Sequence, residues 1–214
     1  MKNKRFISLR EALLFLAAWG YNLIIFIGTK PIARNFPHHQ IGTKLDEAIP
    51  LVPWTILIYL GCYLFWIWGY YFCIQYDKTS SHRFLISHFI GETVALLCFL
   101  FFPTVMTRPE ITGTTLFHQL LRMTYRIDAP NTLLPSLHCV VSWLCWIGVR
   151  GHPRVPKWGQ WLCFVCAAAI CISTLTVKQH VIADVISGVL LAEGSFCLSG
   201  FCVKILRKRI KTEV

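Results

Sequence analysis

The sequence predicts an all-α, polytopic membrane protein: a six-helix transmembrane bundle with a short interfacial helix in the loop between the third and fourth spans. Three observations carry this expectation. The 214-residue chain is 55% hydrophobic and only 14% charged, with a mean hydropathy of +0.55, well apart from soluble domains. Its apolar runs approach or exceed the roughly 20 residues an α-helix needs to cross a bilayer core. Lys and Arg lie beside those runs, unevenly between the two sides.

The chain opens with MKNKRFISLR and an apolar run over 12–27. These resemble the basic and hydrophobic regions of a signal sequence, but no small-residue cleavage site follows, so the segment is expected to remain as the first span. Hydrophobic periodicity and length place further spans at about 51–76, 84–105, 135–149, 159–177 and 180–203. The fourth is at the lower limit for spanning, and Pro135 suits the first turn of a helix, so that helix is expected to begin there. Between the third and fourth spans, Leu116, Leu120, Leu121 and Met123 alternate with polar residues at helical intervals, the pattern of an interfacial helix within 111–126. No internal repeat or flexible linker divides the chain, so residues 1–214 are expected to form one membrane domain.

Six spans place both termini on one side. Lys2, Lys4, Arg5, Arg10, Lys78, Arg83, Arg150, Arg154, Lys157, Lys204, Arg207, Lys208, Arg209 and Lys211 then share that side, against Lys30, Arg34, Lys44, Arg108, Arg122, Arg126 and Lys178 on the other. Fourteen cations against seven predict cytoplasmic termini and an extracytoplasmic 106–134 loop, in a plasma or inner membrane. The net charge of +11 does not imply nucleic acid as a partner, because the basic residues form no aromatic-interleaved surface. All ten cysteines fall in apolar stretches and read as small buried hydrophobes. The Cys163–Cys166 spacing has no matching ligand pair for a metal. Trp54, Trp143, Trp158 and Trp161 sit near span ends, as an interfacial belt does.

Polar residues concentrate in three segments at the extracytoplasmic helix ends: Thr107-Arg108-Pro109, Asp128 through His138, and Ser173 through Asp184. His180 and Asp184 are four apart and share one helix face. Asp184 can accept from one imidazole nitrogen and leave the other basic, the orientation a histidine nucleophile or general base requires. His138 lies in the first turn of its helix, where unpaired backbone N–H groups favour an anion. Arg108 and Lys178 add positive charge suited to phosphate oxygens. A nucleophile, an acid and charge stabilisation are the requirements of phosphoryl transfer. Arg122 and Arg126 read equally as phosphate ligands or as plain interfacial anchors. His88 reads as a hydrogen bond to a neighbouring helix. Glu92 is expected to bind an interior partner or line a headgroup cavity, and Glu193 has no assigned role.

Arg108-Pro109, then Pro135-Ser136-Leu137-His138, then Ser173 with His180 and Asp184 seven and eleven residues on, resemble the three signatures of the type 2 phosphatidic acid phosphatase superfamily over about 100–195. The lead-in Asp128-Ala129-Pro130-Asn131 and Leu137 are most similar to the branch containing inositolphosphorylceramide-synthase-like proteins. The resemblance implies His180 as a nucleophile forming phosphohistidine, Asp184 as its partner, and His138 as the acid for the leaving group. It also implies a phosphate site including Arg108 and Ser136, a lipid phosphate substrate, and no metal or cofactor. Two cations of the family pattern are absent, Phe101 and Thr174 standing in their places, and Lys178, Arg122 or Arg126 are the candidate replacements. Leu137 stands where the pattern has glycine. The expected activity is lipid phosphate hydrolysis; headgroup transfer to a hydroxyl acceptor is the rival, followed by non-catalytic lipid binding or transport and by a decayed, enzyme-derived scaffold.

Overall fold

The computed structural model describes residues 8–75 and 77–212. The leading Lys2, Lys4 and Arg5 lie outside the described residues, as do the side chains of Arg207, Lys208, Arg209 and Lys211. Eight α-helices are described: α1 Leu9–Ala33, α2 Lys44–Ala48, α3 Ile56–Gln75, α4 Lys78–Phe101, α5 Leu116–Ile127, α6 Leu137–Val149, α7 Lys157–Thr176 and α8 Ile182–Thr212. α1, α3, α4, α7 and α8 are long and apolar enough to cross a membrane by length and composition. α6 is apolar but has 13 residues, about 20 Å at the α-helical rise and short of a hydrocarbon core.

Local chemistry fixes the helix starts. Ser8 and Glu11 form a reciprocal capping box, so α1 begins at Leu9, before the apolar run, and continues through Lys30 and Pro31. Asp77 caps α4 by accepting from the Ser80 N–H at 2.9 Å, which starts that helix six residues before the expected 84. Burial pushes the Asp77 carboxyl up, but bonds from the Ser80 N–H, the Ser80 hydroxyl and His152 outweigh it and hold it at about 2. α6 begins at Leu137, not at Pro135. The Ser136 hydroxyl accepts from the Cys139 N–H and makes Ser136 the N-cap, which leaves Pro135 one residue outside the helix.

α4, α6 and α8 pack around the interior, with α3 and α7 against α6 and α1 against α4. Trp66, Tyr70, Phe84, Val140, Val141 and Leu144 fill the core, and Trp66 Nε1 donates to Ser142 Oγ at 2.8 Å. Cys62, Cys73, Cys139, Cys145 and Cys171 are buried as expected, and a methyl group on Gly69 would lie 2.5 Å from Cys145 Sγ; the other five correct the expectation, Cys197 being exposed and Cys98, Cys163, Cys166 and Cys202 half-buried where their helices face outward. All ten thiols are free. Leu16, Leu64, Ile67, Leu162, Ile172, Ile186, Leu190 and Leu198 face outward on the long helices, leaving an apolar exterior that water does not solvate favourably. Three of the polar residues that the sequence places within the spans find partners on neighbouring helices. His88 of α4 bonds Tyr70 of α3 and the Ala18 carbonyl of α1, as its sequence position suggests, and Glu92 accepts from Asn22 of α1. Glu193 takes both guanidinium N–H groups of Arg150 and the indole N–H of Trp143.

One end of the bundle gathers the end of α1, the starts of α3, α6 and α8, and the connections that follow α4 and α7. His39–Gln40 and Thr104–Val105 form a two-residue parallel β-bridge there, the single strand pairing among the described residues and one that periodicity did not predict. Thr104 Oγ1 accepts from the N–H groups of Leu133 and Leu134. The Val52 N–H donates to the Thr176 carbonyl at 2.9 Å, and Thr55 and Thr176 share a hydroxyl bond. α2, an additional element the sequence reading did not include, lies across this end.

Candidate active site

The α6 start, the α7–α8 turn and the segment after α5 meet at this end. α7 stops where the Gln179 and His180 N–H groups both turn back to the Thr174 carbonyl. Lys178 lies between in the left-handed region, φ 54°, an uncommon conformation for a residue with a Cβ. This turn reverses the chain and puts His180 ahead of α8.

Asp184 then orients it. Its Oδ2 accepts from the Val181 N–H at 3.0 Å and lies 3.2 Å from His180 Nδ1. Sharing one oxygen between a rigid backbone donor and the imidazole fixes the ring plane, and a protonated Nδ1 leaves Nε2 with its lone pair. The carboxylate is fully buried in the first turn of α8, where the helix dipole favours negative charge. The Ser136 N–H donates to the Asp184 carbonyl at 3.1 Å, locking the α6 start to α8. Gly188 permits that approach, because a Cβ there would stand 2.9 Å from the Ser136 carbonyl oxygen.

His138 faces His180 with ring centroids 6.1 Å apart. Tyr59 of α3 stacks on it at 4.4 Å, and Trp66 lies 5.7 Å away. His138 Nε2 is buried with no hydrogen-bond partner among the described residues. Both imidazoles line a cavity of about 20 Å³ together with Phe26, Phe99, Asp128, Thr132, Leu133 and Leu137. That volume holds about one water.

Arg108 reaches the same region from the segment after the Thr104–Val105 strand. Its guanidinium donates to the Asp128 carbonyl at 2.5 Å and to Gln179 Oε1, and it lies over the Tyr125 ring at 4.8 Å. Burial pushes the Arg108 pKa down while Asp128 opposes that shift, and the group stays charged at neutral pH. Tyr125, whose hydroxyl donates to the Val177 carbonyl, is pushed up to about 12 by burial. A larger cavity of about 470 Å³ opens beside the site, lined by Arg108, Pro109, Asp46, Thr43, Lys178 and Val181 among others.

The residues singled out from sequence therefore separate. His138, His180, Asp184 and Ser136 come together at one point, with Arg108 joined to it through Asp128 and Gln179. The ammonium of Lys178 donates to the Asp46 carbonyl at 2.7 Å. Arg122 donates to the carbonyls of Ile111 and Gly113, tying the preceding loop to α5. Arg126 is exposed in the last turn of α5. Phe101 is exposed at the end of α4, and the Thr174 hydroxyl turns back to the Cys171 carbonyl.

Several contributors were missed. Asp46 accepts from the Ile182 N–H at 2.7 Å, and so caps α8 from a distant segment. Burial pushes its carboxyl up, but that bond and those from Thr43 hold it below the usual value. Only the Thr43-Asp46 spacing hints at a cap, and nothing in it points to α8. Tyr59 carries no signal within its apolar run. Lys30, a cation beside Pro31 at the end of such a run, is a signal that charge counting absorbed into topology.

Fold and site together define a multi-pass integral membrane protein of all-α type with two imidazoles facing across a small buried cavity. The family model described as the PAP2 superfamily matches residues 45–198, and the chain belongs to that superfamily, which supports chemistry on phosphoesters. Neither a curated protein nor a solved structure matches it.

Proposed function

We propose that the protein is a metal-independent lipid phosphate phosphatase acting at the extracytoplasmic face. α6 serves as the sixth, short span, and α5 lies in the interface over the site. The cation distribution supports this orientation: Lys30, Arg108 and Lys178 share the site end, while Arg83, Arg150 and Lys204 belong to the opposite helix ends.

The observation that carries the chemistry is the facing pair, His180 oriented by Asp184 and His138 across 6.1 Å between ring centroids. A reacting phosphorus needs about 3–3.5 Å to its nucleophile and about 2.8 Å from leaving oxygen to proton donor, so the two rings stand close enough to serve one phosphoryl group once the cavity between them widens to admit it. His180 Nε2 attacks phosphorus, the P–O bond to the lipid alcohol breaks, and His138 gives its proton to the departing oxygen. Water then attacks the phosphohistidine, His138 takes the water proton, and the P–N bond breaks to return neutral His180. Asp184 stabilises the positive charge the imidazole carries in between. Arg108, with Ser136 and the α6 start, binds the equatorial oxygens, Lys178 lines the larger cavity beside them, and Arg122 and Arg126 of α5 serve as interfacial anchors.

A second reading has support from Leu137 and the Asp128–Asn131 lead-in: a lipid hydroxyl replaces water in the second step and the protein is a headgroup transferase. Purified protein in detergent, given phosphatidic acid or isoprenyl pyrophosphate, is expected to release inorganic phosphate. His180→Ala is expected to release none, and full activity in that variant rules the mechanism out. Labelled headgroup recovered on added diacylglycerol or ceramide selects the transferase.

A further inference from the structure

The family pattern has two more phosphate-binding cations than this chain supplies at the corresponding places, and neither Phe101 nor Thr174 is able to bind an anion through charge. α1 brings a cation to the site from outside the family-matched segment. The Lys30 side chain is largely buried, and its ammonium touches two residues that line the histidine cavity: it lies 2.5 Å from Asp128 Oδ1 and 3.6 Å from the centre of the Phe26 ring. Asn131 Nδ2 donates to the Lys30 carbonyl at 3.1 Å, so the end of α1 is fastened to the Asp128–Asn131 segment at two points.

Taking the reading of the site as a phosphoryl centre, we propose that Lys30 is the phosphate-binding cation missing from the motif, and that Asp128 occupies it until the substrate phosphate takes the place of the carboxylate. The size of the cavity supports the exchange. A space for about one water does not admit a phosphoryl group, so a lining group must move. Asp128 is the lining residue whose departure both enlarges the space beside His138 and His180 and uncovers a buried positive charge. A phosphate carries more negative charge than a carboxylate and offers more acceptor oxygens to an ammonium. Arg108 holds the Asp128 backbone through its carbonyl, so the side chain can swing while the chain stays in place.

The test uses the full chain in detergent and two readouts: the affinity for inorganic phosphate, from its concentration-dependent stabilisation of the protein against heat, and KM for whichever lipid phosphate the wild type hydrolyses. Lys30→Met is expected to weaken both by about 10- to 100-fold, the range for losing one hydrogen bond to a charged group. Lys30→Arg is expected to retain most of the affinity, and Asp128→Asn to bind inorganic phosphate more tightly than wild type. The double variant Lys30→Met/Asp128→Asn removes both charges and leaves no buried ion unpaired; it serves where Lys30→Met alone does not fold. The double variant is expected to fold and to bind phosphate as weakly as Lys30→Met. Wild-type phosphate affinity in either Lys30→Met protein overturns the proposal and makes the pair a structural bridge. Full activity of His180→Ala instead overturns the phosphatase reading, and phosphate affinity is measured independently of turnover.

Discussion

Asp184→Asn is the perturbation that isolates electrostatics from architecture at this site. The amide oxygen of asparagine can still accept from the Val181 N–H at the 3.0 Å position and keep the His180 ring in place, so the fold should survive with little change in Tm. What disappears is the negative charge 3.2 Å from Nδ1. At an effective dielectric constant of about 20, two unit charges at that distance interact by about 5 kcal/mol. In the proposed mechanism the attacking imidazole is neutral and becomes cationic as it bonds to phosphorus, so this interaction acts on the transition state more than on substrate binding. The expected result is a fall in kcat of about 10³- to 10⁴-fold with KM nearly unchanged, measured as phosphate release from detergent-solubilised substrate. A loss of less than about tenfold in a well-folded variant refutes the role given to Asp184. A loss of the same size with a collapsed Tm refutes its attribution to charge.

Other expectations follow from the contacts around the pair. Asp46→Ala uncaps the Ile182 N–H and should lower stability by about 1–2 kcal/mol, seen as a lower midpoint in thermal denaturation. Gly188→Ala places a Cβ against the Ser136 carbonyl at 2.9 Å, and should reduce kcat more than tenfold by forcing α6 and α8 apart, as a steady-state assay can read. Asp77→Ala tests linkage at the far end of the bundle. The Asp77 carboxyl is held at about 2 in the folded chain and its unfolded value is about 3.9, so its contribution is present above about pH 4 and fades as pH falls toward 2. The stability gap between wild type and Asp77→Ala, about 1 kcal/mol at neutral pH, should therefore close across that window.

The long helices and the three catalytic candidates were legible in the sequence because both rest on local patterns: apolar runs of membrane length, and histidine and aspartate one helical turn apart. The details that failed were those set by capping or by distant partners. Pro135 suited a helix start by its fixed φ, yet the Ser136 hydroxyl next to it takes the cap and starts α6 later. The bond from the Lys178 ammonium to the Asp46 carbonyl, made from a left-handed turn two residues before His180, likewise depends on a distant partner that the sequence does not show. Asp46 and α2 were invisible because their importance comes from a bond to Ile182, more than a hundred residues away. Lys30 was counted as a topological charge, since a one-dimensional pattern does not reveal that α1 ends against Asp128.

The proposed mechanism turns on a covalent bond from His180 Nε2 to phosphorus. Protein incubated briefly with a lipid phosphate carrying radioactive phosphorus, quenched under alkaline conditions and digested, should yield one labelled peptide. The label should sit on His180, resist base and be lost in acid, and be absent from His180→Ala. Rapid phosphate release with no label on His180, or with label on another residue, contradicts the account.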